Sequence, residues 1–215
     1  MKLPLQNRVT PFGDIIATAA RCALTGNRGT IHDPDSRRLL PKRRWSSKAW
    51  IYCRCDFQNR KRDVFGRNSP NGGAGWTNLF FLDEATALAA GHRPCFFCQR
   101  ERANEFRDAW MCANGPWPGV QLVDRTLHEE RILCGQKRTH PLPEKLPDGV
   151  VVGIIKDAFR LHEGRWFKWL PEGYIASADL DRADLRLLTP PSIVKVISAG
   201  FTPKPPDTMR LGGTG

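Results

Sequence analysis

Long apolar runs are missing from this 215-residue chain; its unbroken hydrophobic stretches are a few residues each, far short of the ~20 that cross a bilayer as a helix. The opening MKLPLQNRVT has no apolar core behind its lysine, so no secretory leader is expected and a cytoplasmic address is. Repeats of solenoid period are lacking too. Low complexity is confined to NSPNGGAG (residues 68–75) and TPKPPDTMRLGGTG (residues 202–215), both of which read as mobile. Acids are in short supply, 22 against 33 lysines and arginines, for a formal charge of +11. What remains is ordinary globular material: 40% hydrophobic and 26% charged, which excludes wholesale disorder and fibrous architectures.

The positive excess is uneven. Residues 1–110 hold 19 bases and 10 acids, whereas residues 111–215 hold 14 and 12. It is densest where Arg37, Arg38, Lys42, Arg43, Arg44, Lys48, Arg54, Arg60, Lys61, Arg62 and Arg67 face only Asp56 and Asp63. A polyanion is the natural partner of such a stretch; a solvated face that aids solubility is the plainer alternative. Trp45 follows three of these bases and can stack on an unpaired nucleobase or fill a core.

Local patterns predict an α+β protein. Trp50–Phe57 alternates as a strand, and QNRKR turns it into a hairpin with Asp63-Val64-Phe65. Leu79–Leu82 reads as a short buried strand, with Asp83 capping the helix EATALAA that stops at Gly91. Residues 99–113 place Ala103, Phe106 and Trp110 on one helical stripe. GPWPG (residues 115–119) forbids regular structure and marks a joint. Beyond it come a helix over 121–133, a three-stranded meander (VVVGII, AFRLH, RWFKWL), a strand near Asp184–Leu188 and a last helix capped by Thr189. The expected organisation is a basic metal-binding half over 1–114, an α+β half over 119–201 and a tail over 202–215.

Seven cysteines in a chain without an export signal argue against a disulfide framework and for metal ligation or burial. Cys95 and Cys98 form C-x2-C just after Arg93-Pro94, a spacing at which two thiolates hold one zinc while knuckle amides bond the sulfurs. Cys53 and Cys55 are a second close pair; on a strand, residues two apart point the same way, so both can meet the knuckle and complete a four-thiolate zinc site. Cys22, Cys112 and Cys134 read as small buried hydrophobes.

WIYCRC (residues 50–55) followed by NLFFLDEATALAAGHRPCFFCQRE (residues 78–101) resembles the N-terminal metal-binding domain of the Ada DNA repair protein. That family shows an aromatic-Cys-Arg segment with a second cysteine soon after, a phenylalanine-rich strand, an alanine-rich helix, Gly-aromatic-Arg-Pro and C-x2-C. The resemblance implies zinc on Cys53, Cys55, Cys95 and Cys98, with Cys53 accepting a methyl group from a methylated DNA phosphate. It covers about 50 residues. The family places three residues between its first two cysteines where this chain has one, so His92 and Asp56 stand as alternatives to Cys55; His92 also has a packing role, at a position the family gives to an aromatic ring.

A second constellation lies on the 121–133 helix, where Asp124, His128 and Arg131 share one face. A carboxylate beside an imidazole can serve a DNA hydrolase, or be a solvated Asp-His pair. His32, Asp33 and Asp35 make either a metal site or a polar turn. The expected function is therefore zinc and DNA binding tied to DNA repair or damage handling, with methyl transfer at Cys53 and hydrolysis at Asp124 and His128 as alternatives.

Overall fold

The computed structural model describes residues 3–59 and 62–206; Arg60, Lys61 and the end of the tail lie outside this set. The chain opens with β1 (Gln6–Val9), β2 (Ile15–Ala17) and β3 (Leu24–Asn27), then a small ribbon of β4 (His32–Asp33) and β5 (Arg38–Leu39), and β6 (Ile51–Arg54). A single 3-10 turn (Phe57–Asn59) follows, then β7 (Leu79–Phe81), α1 (Glu84–Ala89), β8 (Arg93–Pro94), α2 (Arg100–Asn114) and α3 (Val120–Arg131). A ribbon of β9 (Ile132–Leu133) and β10 (Gln136–Lys137) leads into β11 (Val151–Ile154), β12 (Asp157–His162), β13 (Arg165–Leu170), β14 (Gly173–Ala176) and β15 (Arg186–Leu187), and α4 (Pro191–Ser198) ends the ordered elements. The architecture is α+β, and no helix of the described residues is long and apolar enough to cross a membrane.

Two larger sheets carry the structure. One runs β2-β1-β7-β3-β6-β8, with β1/β7 and β6/β8 parallel. The other is antiparallel, β14-β13-β12-β11-β15, so the expected meander gains a strand at each edge. The expected hairpin after Trp50 does not form. Asp63–Phe65 is turn and coil, and β6 pairs instead with β3, 24 residues upstream at its nearest, and with β8 downstream. Thr189 does not cap α4 either. Its buried hydroxyl accepts the Val151 N–H at 2.9 Å, and Pro190 occupies the cap position.

Nor does the core divide at GPWPG. Tyr52, Leu79 and Phe81 of the first sheet, Phe106 of α2, Leu127 of α3, Val152 and Phe159 of the second sheet and Ile193 of α4 belong to one buried cluster, because each element has one apolar face and the opposite half supplies its cover. Each such side chain contributes about 1.5–3 kcal/mol on burial. Asp83 joins the halves by polar contacts. It caps α1 through the Thr86 N–H at 2.8 Å, accepts from Arg160 of β12 at 2.6 Å and from the Tyr174 hydroxyl of β14 at 3.1 Å, all out of solvent.

Candidate metal centre and its cleft

The sulfur cluster is built by strand pairing. Parallel β6 and β8 align Ile51 with Arg93 and Tyr52 with Pro94, so Cys53 of β6 and Cys95, the residue that follows β8, fall side by side. The Cys95 N–H donates to the Tyr52 carbonyl at 3.0 Å and fixes that register. The chain then turns back on itself: the Gln99 N–H reaches the Cys95 carbonyl at 3.0 Å and the Phe97 N–H points at the Cys95 Sγ at 3.4 Å, bringing Cys98 to the same place. The sulfurs of Cys53, Cys95 and Cys98 lie within 4.8 Å of one another, close enough to hold one metal ion.

Cys55 is not in this group. β6 ends at Arg54 and Cys55 sits in the turn beyond it, so the two-residue alternation of a strand no longer applies; its exposed thiol points at the Ala23 carbonyl, 3.5 Å away. The alternatives stand apart as well. Asp56 pairs with Arg54 at 3.3 Å on the surface. His92 is fully buried, packed on Phe81 and Trp50 at ring separations of 4.6 and 5.0 Å, and its Nε2 accepts from Arg28. Burial, together with Arg28 and Arg131 nearby, holds His92 well below the usual histidine range, as a neutral packed ring.

Three adjacent thiols cannot all ionise unaided. Hydrogen bonds donated by Cys53 and Cys98 hold the Cys95 thiol far below its ordinary value, while the contacts with Cys95 and Cys98 and the burial of the site push Cys53 up. Thiolates this close repel one another, a repulsion that a bound cation would relieve.

The cluster opens on a cleft of about 410 Å³. Besides Cys53, Cys95 and Cys98 it is lined by Cys55, by Phe57, Trp76, Phe80 and Phe97, by Asn27 and Asn78, and by Arg54 and Arg62. Among the basic residues expected to bind DNA, those two reach the cleft. Arg37 is paired with Asp63 at 2.5 Å and Arg44 with Asp14 at 2.7 Å, whereas Arg38, Lys42, Arg43 and Lys48 are exposed. The aromatic lining was not anticipated. The signal was present, in a tryptophan placed straight after a glycine-rich run and in a phenylalanine between two ligand cysteines.

Compared with family models, curated proteins and solved structures, the chain matches none. The cleft must therefore be judged on its own chemistry.

The second constellation is used differently. Asp124 accepts from Arg93 Nε and Nη2, both at 2.8 Å, with both side chains buried. Its carboxylate thus holds the strand that leads into Cys95, and His128 is left to Arg131, whose guanidinium lies 3.1 Å from its Nδ1, and to the rings of Trp45 and Trp50. Desolvation, with Arg131 and Lys48 beside it, pulls His128 down to about 4. The Asp-His pairing that a hydrolase needs is not made. Trp45 is half-buried in this aromatic group. His32 is buried, stacked on Phe65 and bonded to the Thr77 hydroxyl at 2.7 Å, and Asp33 accepts from the Asp35 and Ser36 amides, so HDPD is a polar turn. Cys112 and Cys134 are exposed and Cys22 half-buried, rather than core residues; a helix or turn position set their exposure, which residue type alone could not.

Proposed function

We propose that the chain is a zinc-thiolate protein of DNA repair, in which Cys53, Cys95 and Cys98 hold Zn²⁺ and Cys53 is a stoichiometric alkyl acceptor from DNA. The observation that carries the reading is the clustering of three of the four thiols that line an open cleft, which also holds two arginines and no carboxylate among its lining residues. Thiolates favour zinc among the divalent metals available to a cell. Tetrahedral zinc-sulfur bonds set sulfurs about 3.8 Å apart, inside the observed spacing. A structural zinc is enclosed by four protein ligands, whereas a reactive one keeps a side open, and here the three-sulfur set faces the cleft. The resemblance to the Ada metal-binding domain supplies the reaction type.

When bound, zinc keeps the sulfurs as thiolates at neutral pH. The Cys53 sulfur attacks the methyl carbon of a methylated phosphate; the carbon–oxygen bond breaks, its electron pair leaves with the phosphodiester oxygen, and a thioether remains on Cys53. A phosphotriester is uncharged, so the anionic sulfur is not repelled, and Arg54 and Arg62 are placed to hold neighbouring phosphates. No proton is transferred, and turnover stops at one.

Purified protein is expected to contain one zinc per chain, lost in Cys95→Ser and Cys98→Ser and kept in Cys55→Ser. Incubation of the zinc form with methylphosphotriester DNA should add one methyl mass to the Cys53 peptide and nothing to the Cys55 thiol. Zinc without any methyl gain would remove the transfer step and leave a metal-dependent DNA-binding protein; full zinc occupancy in Cys95→Ser would remove the metal site.

A further inference from the structure

Beside the cysteine cleft lies a second pocket of about 400 Å³, bounded by Arg54, Gln99, Arg100, Glu101, Arg102 and Lys204. Arg54 lines both. The two differ in kind: one is aromatic, the other is basic and sits at the start of α2, where Gln99 makes no side-chain cap bond and the first amides of a 15-residue helix are left for another acceptor.

We infer that the two pockets form one track for a single strand of nucleic acid, with one unstacked base in the aromatic cleft beside the cysteine cluster and the adjoining phosphate carried past Arg54 to the start of α2. This rests on the proposed nucleic-acid partner and adds the strand state and the path. Trp76 and Phe97 flank the cleft with 51% and 64% of their surface exposed, a cost in water that a stacked base removes. Phe57 and Phe97 meet edge to face with ring centroids 5.2 Å apart, and Arg62 lies 5.1 Å from the Trp76 ring, so both platforms are held in place. A volume of this size takes one small planar group. Duplex DNA keeps its base faces stacked and offers none.

Arg102 is committed to Glu84 and Glu105, Arg54 is shared with Asp56, and Glu101 adds an acid to the second pocket, which leaves Arg100 and Lys204 as the phosphate contacts.

The test is fluorescence anisotropy of labelled 12-nucleotide single strands and of the matching duplex with the zinc-loaded full chain. Trp76→Ala and Phe97→Ala should each weaken single-strand binding roughly 5- to 100-fold and leave duplex affinity within about twofold; Trp76→Phe should recover most of the loss. Arg100→Ala should lower the salt slope by about one. Both ring positions are surface ones, and zinc content reports that each variant is intact. Binding that persists unchanged in Trp76→Ala and Phe97→Ala, or that favours duplex, overturns the track while leaving the nucleic-acid partner standing. Binding to neither form overturns both.

Discussion

Removing the Asp124 carboxylate separates a structural from a catalytic use of that residue. Asp124 meets Arg93 through two bonds of 2.8 Å, the two side chains being 8% and 7% exposed. In Asp124→Ala the guanidinium stays behind with the Pro94 carbonyl, at 3.3 Å, as its remaining bond. An uncompensated buried charge of this kind costs about 3–5 kcal/mol. Arg93 pairs with Ile51 and stands two residues before Cys95, so the disturbance reaches the sulfur cluster, and zinc should pass to a competing chelator sooner than from wild type. Urea unfolding followed by circular dichroism, with parallel chelator titration, reads both effects. His128→Ala, which removes a ring and no charge partner, should lose about 1 kcal/mol and keep its zinc affinity. The double variant Arg93→Met/Asp124→Leu should regain most of the Asp124→Ala loss, because an apolar pair needs no counter-charge. An Asp124→Ala protein with wild-type unfolding midpoint and metal affinity but without a nucleic-acid-cleaving activity would refute this reasoning and restore the hydrolytic role.

Three further outcomes follow from the buried polar groups and close approaches. Lys137 is half-buried with its ammonium on the Leu188 carbonyl at 2.7 Å, and desolvation, with Arg28 and Arg131 near, pushes it down to about 7. The unfolded chain keeps that proton to about pH 10 and the folded chain releases it near 7, so stability should rise between pH 7 and 10 by up to about 1.4 kcal/mol per pH unit; the rise should be missing from Lys137→Met, and equal pH slopes in urea midpoints would remove the assignment. Asp83→Ala strands Arg160 between the two sheets and should cost about 3–5 kcal/mol in one cooperative calorimetric transition, whereas two separate transitions would mean that the halves fold apart. Gly26→Ala would set a Cβ 2.3 Å from the Ile51 carbonyl and 2.8 Å from the Phe81 ring; the β3–β6 pairing must spread, with more than about 2 kcal/mol lost and zinc affinity falling with it, and an unperturbed melting curve would contradict the packing described.

How much of this was legible beforehand depended on range. Asp83 caps α1, the stripe Ala103, Phe106 and Trp110 faces the core, and the meander follows its turns, because each is decided by neighbours a few residues apart whose periodicity or capping chemistry is written in order along the chain. The C-x2-C knuckle is equally local. That Cys53 joins it and Cys55 does not was settled by where β6 ends, one residue short of keeping the alternation, and by a parallel pairing to β8 some 40 residues on. Asp124 met Arg93 instead of His128 by the same kind of long-range contact, 31 residues away. The sequence by itself determined the α+β class, the excess of positive charge and the sulfurs available for a metal. Only the tertiary structure decided which three sulfurs converge, that one core spans both halves, and that aromatic rings from separate segments line the cleft, since strand register and buried ion pairs are fixed by the packing of the whole chain rather than by any window of it.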